Sequence, residues 1–118
     1  MMNVADKASA PQTVAFVDLF CGIGGFRIGV ETLARANSLL ATCVFSSDID
    51  SDCRQAYEEN FGDPPAGDIT LVNDAQVPSH ELLLAGFPCQ PFSIIGHMKG
   101  FADIRGTLFF HIARMLKV

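Results

Sequence analysis

The fold of this chain is decided by one stretch near its start, VAFVDLFCGIGG at residues 14–25. Its first part, residues 14–20, is almost entirely apolar, which is typical of a strand buried on both faces of a parallel sheet. A glycine-rich turn follows, and after it apolar residues recur at helical spacing, at Phe26, Val30, Leu33 and Ala34. Strand, glycine turn and helix predict the opening βα unit of a nucleotide-binding α/β domain.

The glycines of this turn indicate a close approach of a ligand to the backbone. Gly22 and Gly24 carry no side chains that would block the free N–H groups at the helix N-terminus. A dinucleotide fingerprint needs a third glycine where this chain has Arg27, so the spacing argues against a nicotinamide cofactor. The alternative is a turn whose glycines serve only tight packing.

A second βα unit is predicted directly after the first. Residues 42–46 are typical of a short strand, and residues 51–60 are typical of a helix that Gly62 would end. Asp48 follows the strand, where α/β nucleotide folds place a carboxylate that accepts hydrogen bonds from ribose hydroxyls. Alternatively, Asp48 or Asp50 caps the helix, and the two roles are compatible.

A turn-rich link, residues 63–69, is predicted to return the chain to the carboxyl edge of the sheet. In this link Asp68 and Ile69 could lie beside a bound adenine, one accepting from its amino group and the other covering a ring face. An aspartate after a glycine is also common in ordinary turns. Residues 71–80 are interpreted as a connection that contains one turn of helix.

A thiol follows the next predicted strand. Residues 82–85 are aliphatic, and Gly86 and Pro88 prevent this run from continuing easily as a helix or a central strand. Cys89 would therefore be held on a stiff turn at the end of a buried strand. For a cysteine considered alone, the more common role is that of a small buried apolar residue.

The end of the chain divides into a predicted loop and a predicted helix. Residues 93–106 show no clear periodicity and contain three glycines, so they are interpreted as a mobile loop. His97, Lys99 and Arg105 would bring basic groups to a phosphate backbone. A helix is predicted from Thr107, with an apolar stripe at Leu108, Phe109, Ile112, Ala113 and Leu116.

Composition limits the classes of function. The 118 residues suffice for one small domain, and the formal charge of −5 argues against a stand-alone nucleic-acid binder. The four cysteines show neither zinc-site nor disulfide spacing, which indicates reduced thiols in the cytoplasm and no metal site. Residues 1–12 lack the apolar core of a signal peptide and are predicted to be a disordered leader before a domain at 13–118. No apolar run is long enough to cross a membrane.

Four motifs, taken in order, resemble those of the DNA (cytosine-5)-methyltransferases, above all the bacterial restriction-modification enzymes. They are FVDLFCGIGGF at 16–26, GDI at 67–69, GFPCQPFS at 86–93 and DIRGTL at 103–108. The resemblance extends over residues 14–118. It implies a Rossmann-like, S-adenosylmethionine-dependent methyltransferase fold, of which this chain contains the first strands and helices of the parallel sheet.

The resemblance implies a set of residues that bind S-adenosylmethionine. In that set Phe20 lies against the adenine and Asp48 holds the ribose hydroxyls. Its other members are Gly22, Gly24, Ile49, Asp68, Ile69 and Pro88. The family often has a glutamate at the position of Asp48 and in some members an aromatic ring at that of Ile49, so looser cofactor packing is expected here.

The resemblance also implies that Cys89 is the catalytic nucleophile. Carbon 5 of cytosine is a poor nucleophile until a thiolate adds reversibly at carbon 6, after which carbon 5 can attack the methyl group of the cofactor. Loss of the carbon 5 proton then expels the thiol. The cytosine must be flipped out of duplex DNA to reach Cys89.

Further implied residues contact the DNA. They are Gln90, Ser93, Lys99 and Arg105, and His97 would lie on the same loop. For Arg105 the alternative is to anchor the loop to the last helix, and the two roles are equally favoured.

The resemblance finally implies that this chain is about the first third of such an enzyme, located in the cytoplasm and, in a bacterium, associated with the nucleoid. The family's Glu-Asn-Val motif, its later arginine motif, its target-recognition domain and its C-terminal segment are not in the sequence. We therefore expect an enzyme that needs a complementing C-terminal polypeptide or, alternatively, an inactive or merely cofactor-binding fragment. A different cysteine-dependent enzyme is disfavoured, because His80, His97 and His111 are interpreted as surface or loop residues rather than as a base near Cys89.

Overall fold

A computed structural model describes residues 12–86 and 98–118 of the chain, with side chains described for 12–86 and 107–118. The strands are β1 (Gln12–Leu19), β2 (Leu39–Ser47) and β3 (Leu82–Ala85), and they form one parallel sheet in the order β2-β1-β3. The helices are α1 (Gly25–Ala36), α2 (Ser51–Phe61) and α3 (Met98–Met115), with 3-10 turns at Ile69–Leu71 and Asp74–Gln76. The predicted α/β class with a parallel sheet is confirmed.

β1 is the central strand, and its side chains alternate between two buried faces. Val17 and Leu19 belong to an apolar core that contains Ile69 from the link and Met115 from α3. Asp18 points to the opposite face and meets Tyr57 of α2. The sheet is therefore covered on both faces, which explains why the sequence of β1 is an almost continuous apolar run. The strand begins at Gln12, the last residue of the predicted leader, and residues 1–11 lie outside the described residues.

The apolar stripe predicted for α1 is wrong for two of its four members. Phe26 is 56% exposed and Leu33 is 66% exposed, whereas Ala34 and the charged Arg27 are buried. The physical reason is that Arg27 finds charged and aromatic partners in α2 and the link, so its burial is compensated. The hydrophobic pattern alone therefore does not predict which face of α1 is buried.

The second βα unit agrees with its prediction. β2 extends beyond the predicted residues 42–46 at both ends, and α2 ends at Gly62, whose φ of 81° and N–H bond to the Glu58 carbonyl form the expected C-terminal stop. The link then returns to the sheet, because Ala66 forms a parallel bridge with Ser47. The following connection, residues 71–80, contains one complete 3-10 turn at Asp74–Gln76, in agreement with the predicted single turn, and another 3-10 turn at Ile69–Leu71 begins in the link.

The start of the last helix is where the structure differs most from the sequence prediction. α3 begins at Met98, so residues 98–106 are helical and not part of the predicted mobile loop. An interior glycine costs a helix about 1 kcal/mol relative to alanine, and the segment between Gly100 and Gly106 contains no proline to break it. Two glycines in a window without strong periodicity were therefore a poor signal for a loop.

The buried face of α3 also differs from the predicted stripe. Leu108, Ile112 and Met115 follow helical spacing, and Met115 is fully buried in the core. Phe109 and Leu116, both predicted members of the stripe, are 64% and 63% exposed. Ala113 is half-buried. In the described parts of the chain, no helix has the combination of length and hydrophobicity that a membrane span requires.

Candidate functional site

A cavity of about 300 Å³ lies at the carboxyl ends of the strands. This edge is where open α/β sheets bind their ligands. The cavity is lined by residues that follow each strand, by the link and by one residue of α3: Phe20, Ser47, Asp48, Ile49, Gly67, Asp68, Ile69, Gly86 and Leu108. The structure thus brings together Phe20, Asp48, Ile49, Asp68 and Ile69 of the predicted cofactor set. Ile49 is exposed at the rim of this cavity.

The glycine turn beside the cavity has a left-handed backbone at three positions. The φ angles are 53° at Phe20, 54° at Gly22 and 100° at Gly24. A Cβ added to Gly24 would lie 2.1 Å from Cε2 of Phe61, whereas one added to Gly22 would meet none of the described residues within 4 Å. Tight packing therefore accounts for Gly24, and the described part of the chain leaves the space beside Gly22 open. Among the described residues, neither glycine lines the cavity itself.

The carboxylate of Asp48 is fixed by two backbone N–H groups. Its Oδ2 accepts from the N–H of Gly22 at 2.8 Å, and its Oδ1 accepts from the N–H of Asp50 at 2.9 Å. Asp50 caps α2 instead, because its Oδ1 accepts from the N–H groups of Asp52 and Cys53. Asp48 thus joins the glycine turn to the end of β2, and acceptor sites remain on a carboxylate that offers about four.

A further part of the cavity lining is formed by Asp68 and Ile69. Asp68 Oδ1 accepts from the backbone N–H of Thr70 at 2.9 Å and from its hydroxyl at 2.8 Å, which caps the first 3-10 turn. The Ile69 side chain is buried and belongs to the apolar core. An acidic group and an apolar side chain are therefore presented side by side.

Comparisons with known proteins show which family the chain resembles. The profile of the C-5 cytosine-specific DNA methylases matches residues 14–118. The chain belongs to this family. It is 48% identical over 117 residues to the Type II methyltransferase M.HhaI of Haemophilus parahaemolyticus, covering 99% of this chain and 33% of that protein. It is 54% identical over 101 residues to M.NgoBI of Neisseria gonorrhoeae, covering 86% and 30%.

A solved structure supports the same fold. The Dnmt2 methyltransferase of S. pombe matches with a TM-score of 0.59 at 29% identity, covering 84% of this chain and 30% of that one. The C-5 cytosine methylase chain described here therefore spans about a third of the length of its curated relatives.

A buried polar cluster of the methylase chain lies behind the glycine turn, and the sequence interpretation missed it. The Tyr57 hydroxyl donates to Asp18 Oδ2 at 3.1 Å, and Arg27 Nη1 donates to the Tyr57 hydroxyl at 3.4 Å. Arg27 also forms an ion pair with Asp63 at 2.9 Å and stacks on the Phe61 ring, 4.4 Å from its centre. The available signal was Asp18 itself, a charged residue within an otherwise apolar strand.

Burial dominates the electrostatics of Asp18. Desolvation raises the pKa of Asp18 to about 6, against the opposing effects of the Tyr57 hydrogen bond and the Arg27 charge. Its Oδ1 has no hydrogen-bond partner among the residues that the structure describes. Among the described residues, the cluster therefore contains one unsatisfied acceptor, on the strand that leads into the glycine turn.

The three described cysteines are poor nucleophiles. Burial, with the nearby charges of Asp18 and Asp48, raises the pKa of Cys21 to about 12. Desolvation also raises the pKa of Cys43 and that of Cys53. Since the thiolate is the reactive form, none of these three thiols is activated at neutral pH.

Several predicted residues cannot be compared with the structure. Pro88, Cys89, Gln90, Ser93 and His97 lie outside the described residues. Lys99 and Arg105, assigned to a mobile loop, lie in α3, and the structure does not describe their side chains. Within the described segments no group of three or more potential metal ligands occurs.

One further residue that contacts the cavity wall was not predicted. Arg114, in the last turn of α3, donates from Nη2 to the Ile69 carbonyl at 2.8 Å. It also pairs with Asp74, and its Nε donates to Nδ1 of His111 at 2.9 Å. His111 lies on this helix and is partly exposed, which is compatible with the predicted surface position.

Proposed function

We propose that this chain carries the S-adenosylmethionine site and the catalytic cysteine of a DNA (cytosine-5)-methyltransferase of a restriction-modification system. Residues 13–118 would be the N-terminal part of its catalytic domain. The observation that supports this most directly is the position of Asp48, which Gly22 and Asp50 hold in the lining of a cavity that Asp68 and Ile69 also line.

The described residues fit the adenosyl part of S-adenosylmethionine. A cavity of about 300 Å³ is at the lower end of the range for small-molecule sites. Asp48 would accept hydrogen bonds from the ribose hydroxyls, because α/β nucleotide folds place a carboxylate for them at the end of the second strand. Asp68 Oδ1 is occupied by Thr70, so Oδ2 would accept from the adenine amino group. Phe20 and Ile69 would provide the apolar faces for the ring, and Pro88 would line the methyl-transfer pocket.

When bound, S-adenosylmethionine supplies the methyl group. Cys89 would add as a thiolate to carbon 6 of a flipped cytosine, and the electron pair displaced from the ring double bond makes carbon 5 nucleophilic. After carbon 5 is methylated it loses its proton, the double bond re-forms, and Cys89 leaves as a thiolate. Gln90, Ser93, Lys99 and Arg105 would contact the DNA. The reaction would take place on duplex DNA in the cytoplasm.

The second candidate function is cofactor binding without catalysis. It is favoured by the net charge of −5 and by coverage of only about a third of the relatives. A complementing C-terminal methyltransferase polypeptide would then be required for activity. The two candidates share the cofactor site and differ in whether Cys89 reacts in the isolated chain.

Calorimetry with S-adenosylmethionine tests the shared site. We expect binding by the 118-residue chain and an affinity at least about tenfold lower for Asp48→Asn, because the loss of one hydrogen bond to a charged group is worth about 1.5–3 kcal/mol. Asp52→Asn, a neighbouring exposed carboxylate, is the matched control and should bind as tightly as the unmodified chain. Absence of binding by the unmodified chain would refute the proposed site.

Trapping with 5-fluorocytosine tests the role of Cys89. A duplex with this base cannot release the thiol once carbon 5 is methylated, because fluorine replaces the departing proton. A covalent adduct that Cys89→Ser abolishes and Cys53→Ser retains would support the enzyme. The second candidate would be supported if the isolated chain binds the cofactor but forms no adduct, and an adduct appears only after a C-terminal polypeptide is added.

A further inference from the structure

Arg114 connects the last helix to the cavity wall. Its Nη2 donates to the carbonyl of Ile69, 45 residues earlier in the chain, at 2.8 Å. The side chain is 16% exposed, so this contact is shielded from water for most of its surface. Ile69 follows Asp68 directly, and both line the cavity. The Arg114 guanidinium therefore holds the backbone of Asp68 and Ile69, the pair proposed to bind the adenine.

All three nitrogens of this guanidinium are occupied. Besides the Ile69 carbonyl, Nη1 pairs with Asp74 in the second 3-10 turn, and Nε donates to His111 on the preceding turn of α3. A planar group with several donors in fixed directions determines the relative positions of its acceptors, which a single ammonium group does not. Both 3-10 turns, Ile69–Leu71 and Asp74–Gln76, are thus bonded to one helix.

The same helix contributes to the cavity directly. Leu108 of α3 lines the cavity, and Met115 packs with Ile69 in the core. Arg114 itself is not among the lining residues in the described part of the chain. A shift of α3 along its axis would consequently move Leu108 and displace the carbonyl of Ile69, whereas Ala66, whose carbonyl accepts from the Asp48 N–H at 3.0 Å, would stay with the end of β2.

We propose that Arg114 is a positioning residue for the cofactor site, because it fixes the distance of Asp68 and Ile69 from Asp48. This inference rests on the proposed function. The inference predicts specificity for the adenine amino group, since Asp68 accepts a hydrogen bond from that group only when the turn is held in place. A residue that served stability alone would change the folded fraction and leave the ligand preference of the folded chain unchanged.

The test compares two ligands that differ at one group. S-adenosylhomocysteine has the adenine amino group, and S-inosylhomocysteine has a carbonyl in its place. We expect the unmodified chain to prefer the first ligand by about tenfold or more, the size of a hydrogen bond to a charged group. In Arg114→Met both affinities should fall and the preference should approach one. Arg114→Lys should restore part of the preference, and Arg35→Met, which changes an exposed arginine of α1, should leave it unchanged.

The outcomes separate the two proposals. If the unmodified chain binds neither ligand, the proposed cofactor site is wrong. If it binds and prefers the adenine, but Arg114→Met retains the same preference, the cofactor site stands and the role of Arg114 is refuted. Hydrogen exchange of the β1 amides reports whether each variant is folded. If Arg114→Met does not fold, Arg114→Lys and Asp74→Asn decide: a reduced preference in both supports the inference, and an unchanged preference in both overturns it.

Discussion

The two sides of the cavity are held in place in different ways. On one side Asp48 is fixed by the backbone N–H groups of Gly22 and Asp50, at the ends of two strands that already pair with each other. On the other side the Asp68–Ile69 turn follows Ala66, which bonds to the end of β2, and the turn is held in addition by the side chain of Arg114 from a helix at the far end of the chain. The first side is preorganised by the sheet, whereas the second depends also on the docking of one helix. We therefore expect the first side to fail only when the backbone of the turn is disturbed, and the second to respond to distant changes.

The largest expected effect is on the first side, from Gly24→Ala. The added Cβ would lie 2.1 Å from Phe61 at a φ of 100°, so backbone strain and overpacking act together. Each of these costs about 1–3 kcal/mol, and we expect the free energy of unfolding in urea to fall by about 2–6 kcal/mol. Gly29→Ala is the control, because its added Cβ meets none of the described residues within 4 Å and helix propensity favours alanine. Equal losses in both variants would show that the turn is not held as described.

The next effect concerns the buried cluster behind the same turn. Tyr57→Phe removes the hydroxyl that donates to Asp18 and leaves the carboxyl group with less compensation for its burial. An unsatisfied buried polar group costs about 1–3 kcal/mol, and thermal or urea unfolding at pH 7 should show a loss of this size. An unchanged stability would mean that water or another group replaces the hydroxyl.

Asp18 also predicts a dependence on pH. Its folded pKa is raised from 3.8 to about 6, so the folded chain holds the proton more tightly than the unfolded chain does. The resulting stabilisation is present below pH 3.8 and is lost as the pH rises through about 6. Asp18→Asn should remove this dependence of the free energy of unfolding on pH, which amounts to about 1–3 kcal/mol at 1.36 kcal/mol per pKa unit. Urea unfolding between pH 4 and pH 7 is the measurement, and an equal slope in both proteins would contradict it.

The smallest effect is expected on the second side. Burial and the Arg114 charge lower the pKa of His111 below 6.5, although Asp68 and Asp74 oppose this. Its neutral Nδ1 accepts from Arg114, and the contribution to stability is present above pH 6.5 and declines as the pH falls, because the unfolded chain takes up the proton first. The sign is opposite to that of Asp18. Relative to His111→Gln, the unmodified chain should lose a few tenths of a kcal/mol between pH 7.5 and 5.5, the scale of a half-exposed interaction.

These differences follow what sequence can and cannot reveal. The first side was predictable because its signals are local: a buried run, glycines at fixed spacing, and acidic residues at the end of a strand. The structure confirmed the cap at Asp50 and the stop at Gly62, which depend on neighbours within one helical turn. Features of this kind can be predicted because they depend on only a few adjacent residues.

The second side was not predictable in the same way. Nothing near Arg114 in the sequence indicates a carbonyl 45 residues earlier as its partner. The start of α3 was missed because Gly100 and Gly106 resemble loop residues, and the buried face of α1 was missed because Arg27 is charged. In both helices the outcome depends on contacts that form only after the chain has folded.

The central position of β1 also determines the order in which the chain can assemble. Its pairing with β2 starts at Gln12 and Leu39, within one βα unit, whereas its pairing with β3 joins Phe16 to Leu82. Closing the longer loop costs more chain entropy, by about 0.6 kcal/mol for each doubling of length. We therefore expect β1, α1 and β2 to form first and β3 to arrive late. Until it does, the second edge of an apolar strand remains open to other chains, and this interval is when the protein is most prone to aggregation during folding.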